Sequence, residues 1–289
     1  MSWIELAPRH KMGLPIALPV MPAAGAFGYG DAYRGLIDET LLGAVVTHPV
    51  SPRPRHAAQG TRLATRGPDM VIHTGWPNPG VRAVIREYAP LWERLTVPVI
   101  VHLLATTPAE TSSACAQLSR VRGVGGIELG LRSGTASRDA LTLLEAAEED
   151  SEVPIIVRVP FADVERLAMR LARAGADALT LTAPPRAILP VADEEEPGAL
   201  TYVRGRLYSR SLFPLLLELL SQWVRRLNVP VLACGGIATP EEARACLALG
   251  AAAVQIDALL WREPALLTRI ATTLAADAQT TEISEERYD

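Results

Sequence analysis

Eight short, continuously apolar runs recur along the chain, each rich in valine, isoleucine and leucine and each leading into a segment of helical period. They are Pro15–Val20, Ala44–His48, Val97–Leu103, Gly126–Leu131, Pro154–Val159, Ala178–Thr182, Pro230–Cys234 and Ala252–Ile256. Apolar runs of this length, without polar alternation, predict parallel strands buried on both faces. The intervening helices carry start signals. Thr107-Pro108-Ala109-Glu110 and Thr239-Pro240-Glu241-Glu242 each offer a threonine cap, proline at the first helical position and early carboxylates. Strand and helix alternating through the chain predict a parallel α/β fold. Eight units favour closure into a (β/α)8 TIM barrel over an open doubly wound sheet, as one domain spanning residues 1–289.

Three segments fall outside this pattern. Ile4–Ala7 and the stretch from Met12 flank Pro8-Arg9-His10-Lys11, which predicts an N-terminal β-hairpin plugging the barrel bottom. A long insert from Pro184 to about Arg210 follows the sixth strand, and a loop of that length predicts a functional lid or a disordered excursion. Its acidic run, Asp193-Glu194-Glu195-Glu196, reads as solvated surface rather than a metal site. The polar tail from about residue 277 is expected to fray.

Composition narrows the function classes. The chain has 289 residues, 49% hydrophobic and 21% charged, which predicts a globular protein with a sizeable core. A net charge of -4 argues against a nucleic-acid or anionic-membrane surface. No apolar run reaches the roughly 18 residues of a membrane span, and the N-terminus lacks a signal-peptide core. Cys115, Cys234 and Cys246 form an odd set without metal-ligand spacing, so buried, reduced thiols in a cytoplasmic chain are expected. There is one lysine, Lys11, and there are two asparagines, Asn78 and Asn228. Any lysine chemistry must therefore use Lys11.

Barrels of this class place their sites at the C-terminal ends of the strands. The residues there are Ala23-Ala24-Gly25, Thr47-His48, His102, Gly130–Thr135, Arg158, Thr182–Arg186, Gly235-Gly236 and Asp257-Ala258. His48, His73 and His102 fall at or near strand ends, with Glu128 and Arg158 on neighbouring strands. Such a set suits acid–base work or a metal. With no HxH or HxxxH spacing to tie it together, the preferred reading is a hydrogen-bonded core His102 and a solvated cleft, with no metal. No GxSxG, Walker loop or HExxH occurs.

Several of these segments, in order, resemble the dihydroorotate dehydrogenase family. Met21-Pro22-Ala23-Ala24-Gly25-Ala26-Phe27-Gly28-Tyr29-Gly30 is similar to its glycine-rich turn after the first strand, and Leu42–Thr47 to its second strand. Gly75 with Asn78-Pro79-Gly80-Val81 and Thr107–Glu110 resemble its next two helix openings. Ile127-Glu128-Leu129, Ala174-Gly175-Ala176-Asp177, Gly235-Gly236-Ile237 and Gly250–Ile256 resemble strand four and the regions of strands six, seven and eight. The resemblance runs from about residue 12 to 265. It implies a barrel that binds FMN and oxidises dihydroorotate to orotate in pyrimidine biosynthesis, an oxidoreductase acting on CH–CH groups. It also implies assembly as a homodimer or with an iron–sulfur flavoprotein subunit.

Carried onto this chain, the resemblance implies Ser133 as catalytic base, Arg158 as the charge beside the flavin and His48 at a flavin-contacting lysine position. Ala24, Gly25, His48, Arg158, Gly235, Gly236, Asp257 and Ala258 fall at cofactor-binding positions. The departures are as informative. Arg158 and His48 replace lysines, while Ile72, Gly130, Thr135 and Ala183 stand where substrate-binding asparagines are expected. Each polar contact removed costs roughly 1–3 kcal/mol. Asp257-Ala258 replaces a Gly-Thr pair of the phosphate cradle, so FMN binding is expected to be impaired. Orotate formation is accordingly expected to be absent or weak. The alternative is a flavin-free barrel that binds another small molecule or serves as a non-catalytic structural subunit.

Overall fold

The computed structural model of the chain describes residues 3–33, 35–192 and 200–285, with side chains described through residue 280. The acidic run Asp193–Glu196 lies outside the described residues. The chain opens with the expected hairpin, β1 (Ile4–Glu5) pairing antiparallel with β2 (Pro15–Ile16). The Glu5 carboxylate staples it by accepting from the backbone N–H groups of Ala7 and Leu14. The first barrel strand is β3 (Val20–Pro22), so the apolar run Pro15–Val20 divides between hairpin and barrel. Pro19 has no N–H to give a ladder and so ends one strand before the next begins.

The remaining elements follow in chain order. They are β4 (Val45–Val46), β5 (Leu63–Arg66), β6 (Asp69–Ile72), α1 (Val81–Trp92), β7 (Val99–Leu104), α2 (Pro108–Leu118), β8 (Val124–Gly130) and α3 (Ser137–Glu149). Then come β9 (Ile155–Pro160), α4 (Val164–Ala174), β10 (Ala178–Ala183), β11 (Arg186–Ala192), β12 (Leu200–Tyr208) and α5 (Phe213–Trp223). The chain closes with β13 (Val231–Cys234), α6 (Pro240–Ala248), β14 (Ala253–Ile256) and α7 (Ala265–Glu285). Thr107 and Thr239 cap α2 and α6 as their sequences imply, accepting from Glu110 N and Glu242 N. The first unit departs from the repeat: a 3-10 turn, Glu39–Leu41, stands where a helix would.

Eight parallel strands form one sheet in the order β3-β14-β13-β10-β9-β8-β7-β4. It closes where Gly43 N donates to Val20 O at 2.7 Å. A Cβ at Gly43 would stand 2.0 Å from Leu18 O, so only glycine permits that approach. Inside the barrel, Met21, Ala44, Val46, Ile100, Ile156, Ala178, Leu232 and Ala253 pack together. Leu6, Ala7, Leu14 and Ile16 of the hairpin region seal them from below. A larger core lies between strands and helices.

The insert after β10 departs from a disordered excursion: among its described residues β11 and β12 form an antiparallel arm, and β12 pairs with β6. With the hairpin β5–β6 this makes a four-stranded sheet, β11-β12-β6-β5, built from two strand-to-helix connections and so standing at the mouth. Alternation drives it, since Ala187, Leu189, Val191, Val203 and Leu207 turn to one face against Ala64 and Val71. At the other end of the chain α7 runs to Glu285, and Arg244 donates two hydrogen bonds of 2.7 and 2.8 Å to Asp277. No helix among the described residues is long and apolar enough to cross a membrane.

Candidate functional site

Period-two alternation along the barrel strands puts a polar layer directly above the apolar one. Two residues beyond Ile100, Ile156, Ala178, Leu232 and Ala253 come His102, Arg158, Thr180, Cys234 and Gln255, all buried. Glu128 joins them from β8, fully buried at 0% exposure. Its Oε2 accepts from His102 Nδ1 at 2.6 Å and from Arg158 Nη1 at 3.5 Å. Its Oε1 accepts from Thr180 Oγ1 at 2.7 Å and Gln255 Nε2 at 2.9 Å. Arg158 also donates to Gln255 Oε1 at 2.7 Å and Cys234 Sγ at 2.9 Å.

The electrostatics follow from this geometry. Burial by itself would raise the Glu128 carboxyl, but Arg158, His102 and the Thr180 hydroxyl outweigh it and hold it well below the usual carboxylate range. Burial likewise opposes the charge on Arg158, and the Glu128 carboxylate beside it more than offsets that, with the Cys234 sulfur accepting one of its hydrogen bonds. The Cys234 thiol is pushed up to about 12 by burial, so it stays protonated beside the guanidinium. The layer is thus a satisfied ion network, with Arg158 held charged and in place.

Above it the mouth narrows to a cavity of about 150 Å³. Arg158 and His102 form its floor, Trp76 and Tyr208 its aromatic sides, and Arg55, Arg132 and Arg206 its cationic surround. No aspartate or glutamate lines it among the described residues. A cavity of about 150 Å³ accommodates a ligand about the size of benzene. Trp76 sits in the left-handed backbone region, with φ 54°. Its indole lies so close over Gly25 that a Cβ there would approach to 2.5 Å.

Of the residues singled out from sequence, Ala24 and Arg158 line this cavity. Gly25 is buried beneath Trp76. Ser133 lies on the loop after β8, its hydroxyl accepting from Arg206 Nη1 at 2.7 Å. His48 stands aside, its Nε2 donating to Pro77 O at 3.2 Å and its ring edge-on to Trp76. Burial pushes its imidazole below the ordinary value. His73 is exposed outside the barrel mouth, and His102 is already engaged by Glu128. Among the described residues no group of three or more His, Cys, Asp or Glu side chains is placed to hold a metal ion. Lys11 lies in the hairpin turn at the opposite end of the barrel. Ile72 pairs with Arg206 in the mouth sheet, and Ala183 and Gly130 line the cavity. A Cβ at Gly130 would stand 2.5 Å from His102 Nε2, so an asparagine there would displace the histidine. Thr135 Oγ1 donates to the Arg132 carbonyl.

At the Gly235-Gly236 turn, Asp257 faces inward at 2% exposure. Its Oδ2 accepts from Gly236 N at 3.3 Å, and its Oδ1 accepts from Leu259 N at 3.0 Å as the cap of the 3-10 turn Ala258–Trp261. A side-chain carboxylate thereby occupies backbone donors at the very turn where the sequence resemblance puts a phosphate. Burial raises its pKa, against the opposing pull of the two N–H groups and Arg158.

Sequence reasoning missed Gln255, Thr180, Trp76, Arg206 and Tyr208. The first two were open to a period-two count from the apolar layer. The other three reach the site from excursions whose return path only the folded chain defines.

Comparison with known proteins agrees with this architecture. A family model described as "Dihydroorotate dehydrogenase" matches residues 10–277. The chain is 30% identical over 271 residues to the "Dihydroorotate dehydrogenase B (NAD(+)), catalytic subunit" of Pelobacter propionicus, covering 90% of this chain and 89% of that protein. It is 27% identical over 274 residues to the protein of the same name from Listeria welshimeri, covering 91% and 90%. The crystal structure of a dihydroorotate dehydrogenase from Eimeria tenella, in complex with ferulenol, superposes with a TM-score of 0.74 at 16% identity. It covers 97% of this chain and 85% of that one, and shows the shared fold.

Proposed function

The chain belongs to the dihydroorotate dehydrogenase family, and we propose that it has departed from that family's flavin chemistry and binds a small organic ligand in the mouth of a flavin-free barrel. The observation that carries this reading is Asp257, whose carboxylate takes the Gly236 N–H and caps the turn at Leu259. A phosphate brought to the same donors meets a negative charge at contact distance, a repulsion of about 4 kcal/mol per charge pair near a surface. The ring end is equally unsuited. Trp76 covers Gly25, and His102 fills the space above Gly130. Neither end of FMN fits the residues present, so no hydride transfer is assigned.

What the residues support is recognition. Arg158 supplies a fixed positive charge at the cavity floor, while Trp76 and Tyr208 supply flat apolar sides. That combination suits a compact ligand with a planar or apolar body and a negative end. In the same reading the protein is cytoplasmic, and assembly as a homodimer or with a partner subunit is decided by light scattering. The absorbance spectrum of purified protein tests the proposal. A colourless protein with no saturable FMN titration is expected. Stoichiometric FMN, or robust orotate formation with a quinone, fumarate or NAD as acceptor, overturns it.

A further inference from the structure

Beside the inner cavity lies a larger cleft of about 550 Å³, between the mouth sheet and the segment from Arg55 to Trp76. The two share Arg55, Trp76, Arg206 and Tyr208, so they open into one another. Arg55, Arg186, Arg204 and Arg206 line the cleft, with His73, and no aspartate or glutamate lines it among the described residues. In a chain of net charge -4 this is a segregated cationic surface rather than an excess of base overall.

The arrangement runs against what a sheet prefers. In the register of β11 with β12, Arg186 stands directly opposite Arg206. Arg204 is two residues before Arg206, so all three guanidinium groups leave the same face of the arm. Like charges placed opposite one another destabilise a strand pair. Among the described residues none of the four arginines pairs with a carboxylate. Arg206 instead donates to Ser133 Oγ and Pro184 O, and Arg55 Nε donates to Gly75 O. Burial, then Arg186 and Arg158, press the Arg206 guanidinium below its ordinary pKa. The wall these groups face is Trp76, held in a backbone region that favours glycine. Unfavourable backbone conformations persist where the surroundings over-determine them, and they cluster at ligand sites.

We propose that this cleft binds the oxyanion end of a small molecule, a phosphate ester or polycarboxylate whose body lies against Trp76 and reaches toward the inner cavity. Guanidinium forks match both oxyanions in two-point geometry, and an incoming anion relieves the repulsion across β11 and β12. The cleft lies outside the Gly236–Asp257 turn, so the inference goes beyond the absence of flavin.

Calorimetric titration of the full chain with inorganic phosphate and with citrate, at constant ionic strength set by chloride, tests it. Saturable binding of at least one is expected. Stronger binding of phosphate points to an ester, stronger binding of citrate to a polycarboxylate. Arg186→Ala and Arg204→Ala, both at exposed positions, should each weaken binding about tenfold or more, the loss of one charged hydrogen bond. Without ligand, Arg186→Ala should leave thermal stability equal or higher, because the like-charge pair with Arg206 is removed, and Arg204→Ala, at an exposed position opposite Ile188, should leave it nearly unchanged. Saturation by neither anion, or affinity unchanged in both variants, overturns the proposal. A parallel FMN titration separates the two readings. Oxyanion binding alongside tight FMN refutes only the flavin-free barrel, and the absence of both ligands refutes only the cleft.

Discussion

Glu128 is the side chain on which the site's electrostatics turn, and replacing it gives a quantitative test. It is fully buried and accepts from His102, Arg158, Thr180 and Gln255. Glu128→Met keeps the volume and removes every acceptor, leaving the Arg158 cation buried with Gln255 Oε1 and Cys234 Sγ as partners. Removing one member of a buried ion pair costs about 3–5 kcal/mol, mostly the penalty of an uncompensated charge. Replacing both members with apolar residues of similar volume is often close to neutral. Here Thr180, Gln255 and His102 would still lose a partner, at about 1 kcal/mol each. Adding Arg158→Met to Glu128→Met should therefore restore roughly 2 kcal/mol rather than cost more. Urea denaturation followed by circular dichroism reads this out as a shift in midpoint at constant slope. The single variant should also melt roughly 10 °C lower, at about 2–4 °C per kcal/mol for a protein of this size class. The argument fails if the single variant costs less than about 1 kcal/mol, or if the two substitutions add within about 0.5 kcal/mol.

Three further outcomes are expected. Asp257→Gly with Ala258→Thr frees the Gly236 N–H and restores a hydroxyl, so FMN affinity measured by flavin fluorescence should rise about tenfold while remaining weak, because the ring cavity is unchanged. Gly43→Ala puts a Cβ 2.0 Å from Leu18 O at the closing seam, and the loss should exceed about 3 kcal/mol by denaturation, since backbone must move to make room. Burial, then Asp177 and Glu145, raise the Glu148 carboxyl to about 7 from 4.5. The folded state thus holds a proton that the unfolded chain releases above pH 4.5, so stability falls as pH rises from about 4.5 to 7. Glu148→Gln should flatten that slope in urea midpoints taken across this range, and an unchanged slope would refute the assignment.

Much of the fold was legible along the chain because its physical basis is local. Runs such as Ile155–Val159, apolar but for Arg158, are buried on both faces, and eight of them separated by helices admit few closed solutions. The caps at Thr107 and Thr239 need only their own first turns. The same locality explains where sequence reasoning stopped. Pro15–Val20 is one apolar run in sequence, yet Pro19 divides it between hairpin and barrel. The arm from Arg186 to Tyr208 became a sheet because β6, more than a hundred residues earlier in the chain, offers it an edge. In the site, the chain itself supplied Arg158, Glu128 and the other residues at four expected asparagine positions, Ile72, Gly130, Thr135 and Ala183, which depend on residue identity alone. The direction of the Asp257 carboxylate, the Trp76 indole over Gly25 and the clustering of Arg55 with Arg204 and Arg206 were decided by tertiary structure. Side-chain charge is a property of the residue, but whether it repels a ligand, caps a turn or gathers with its like depends on distances that only packing fixes.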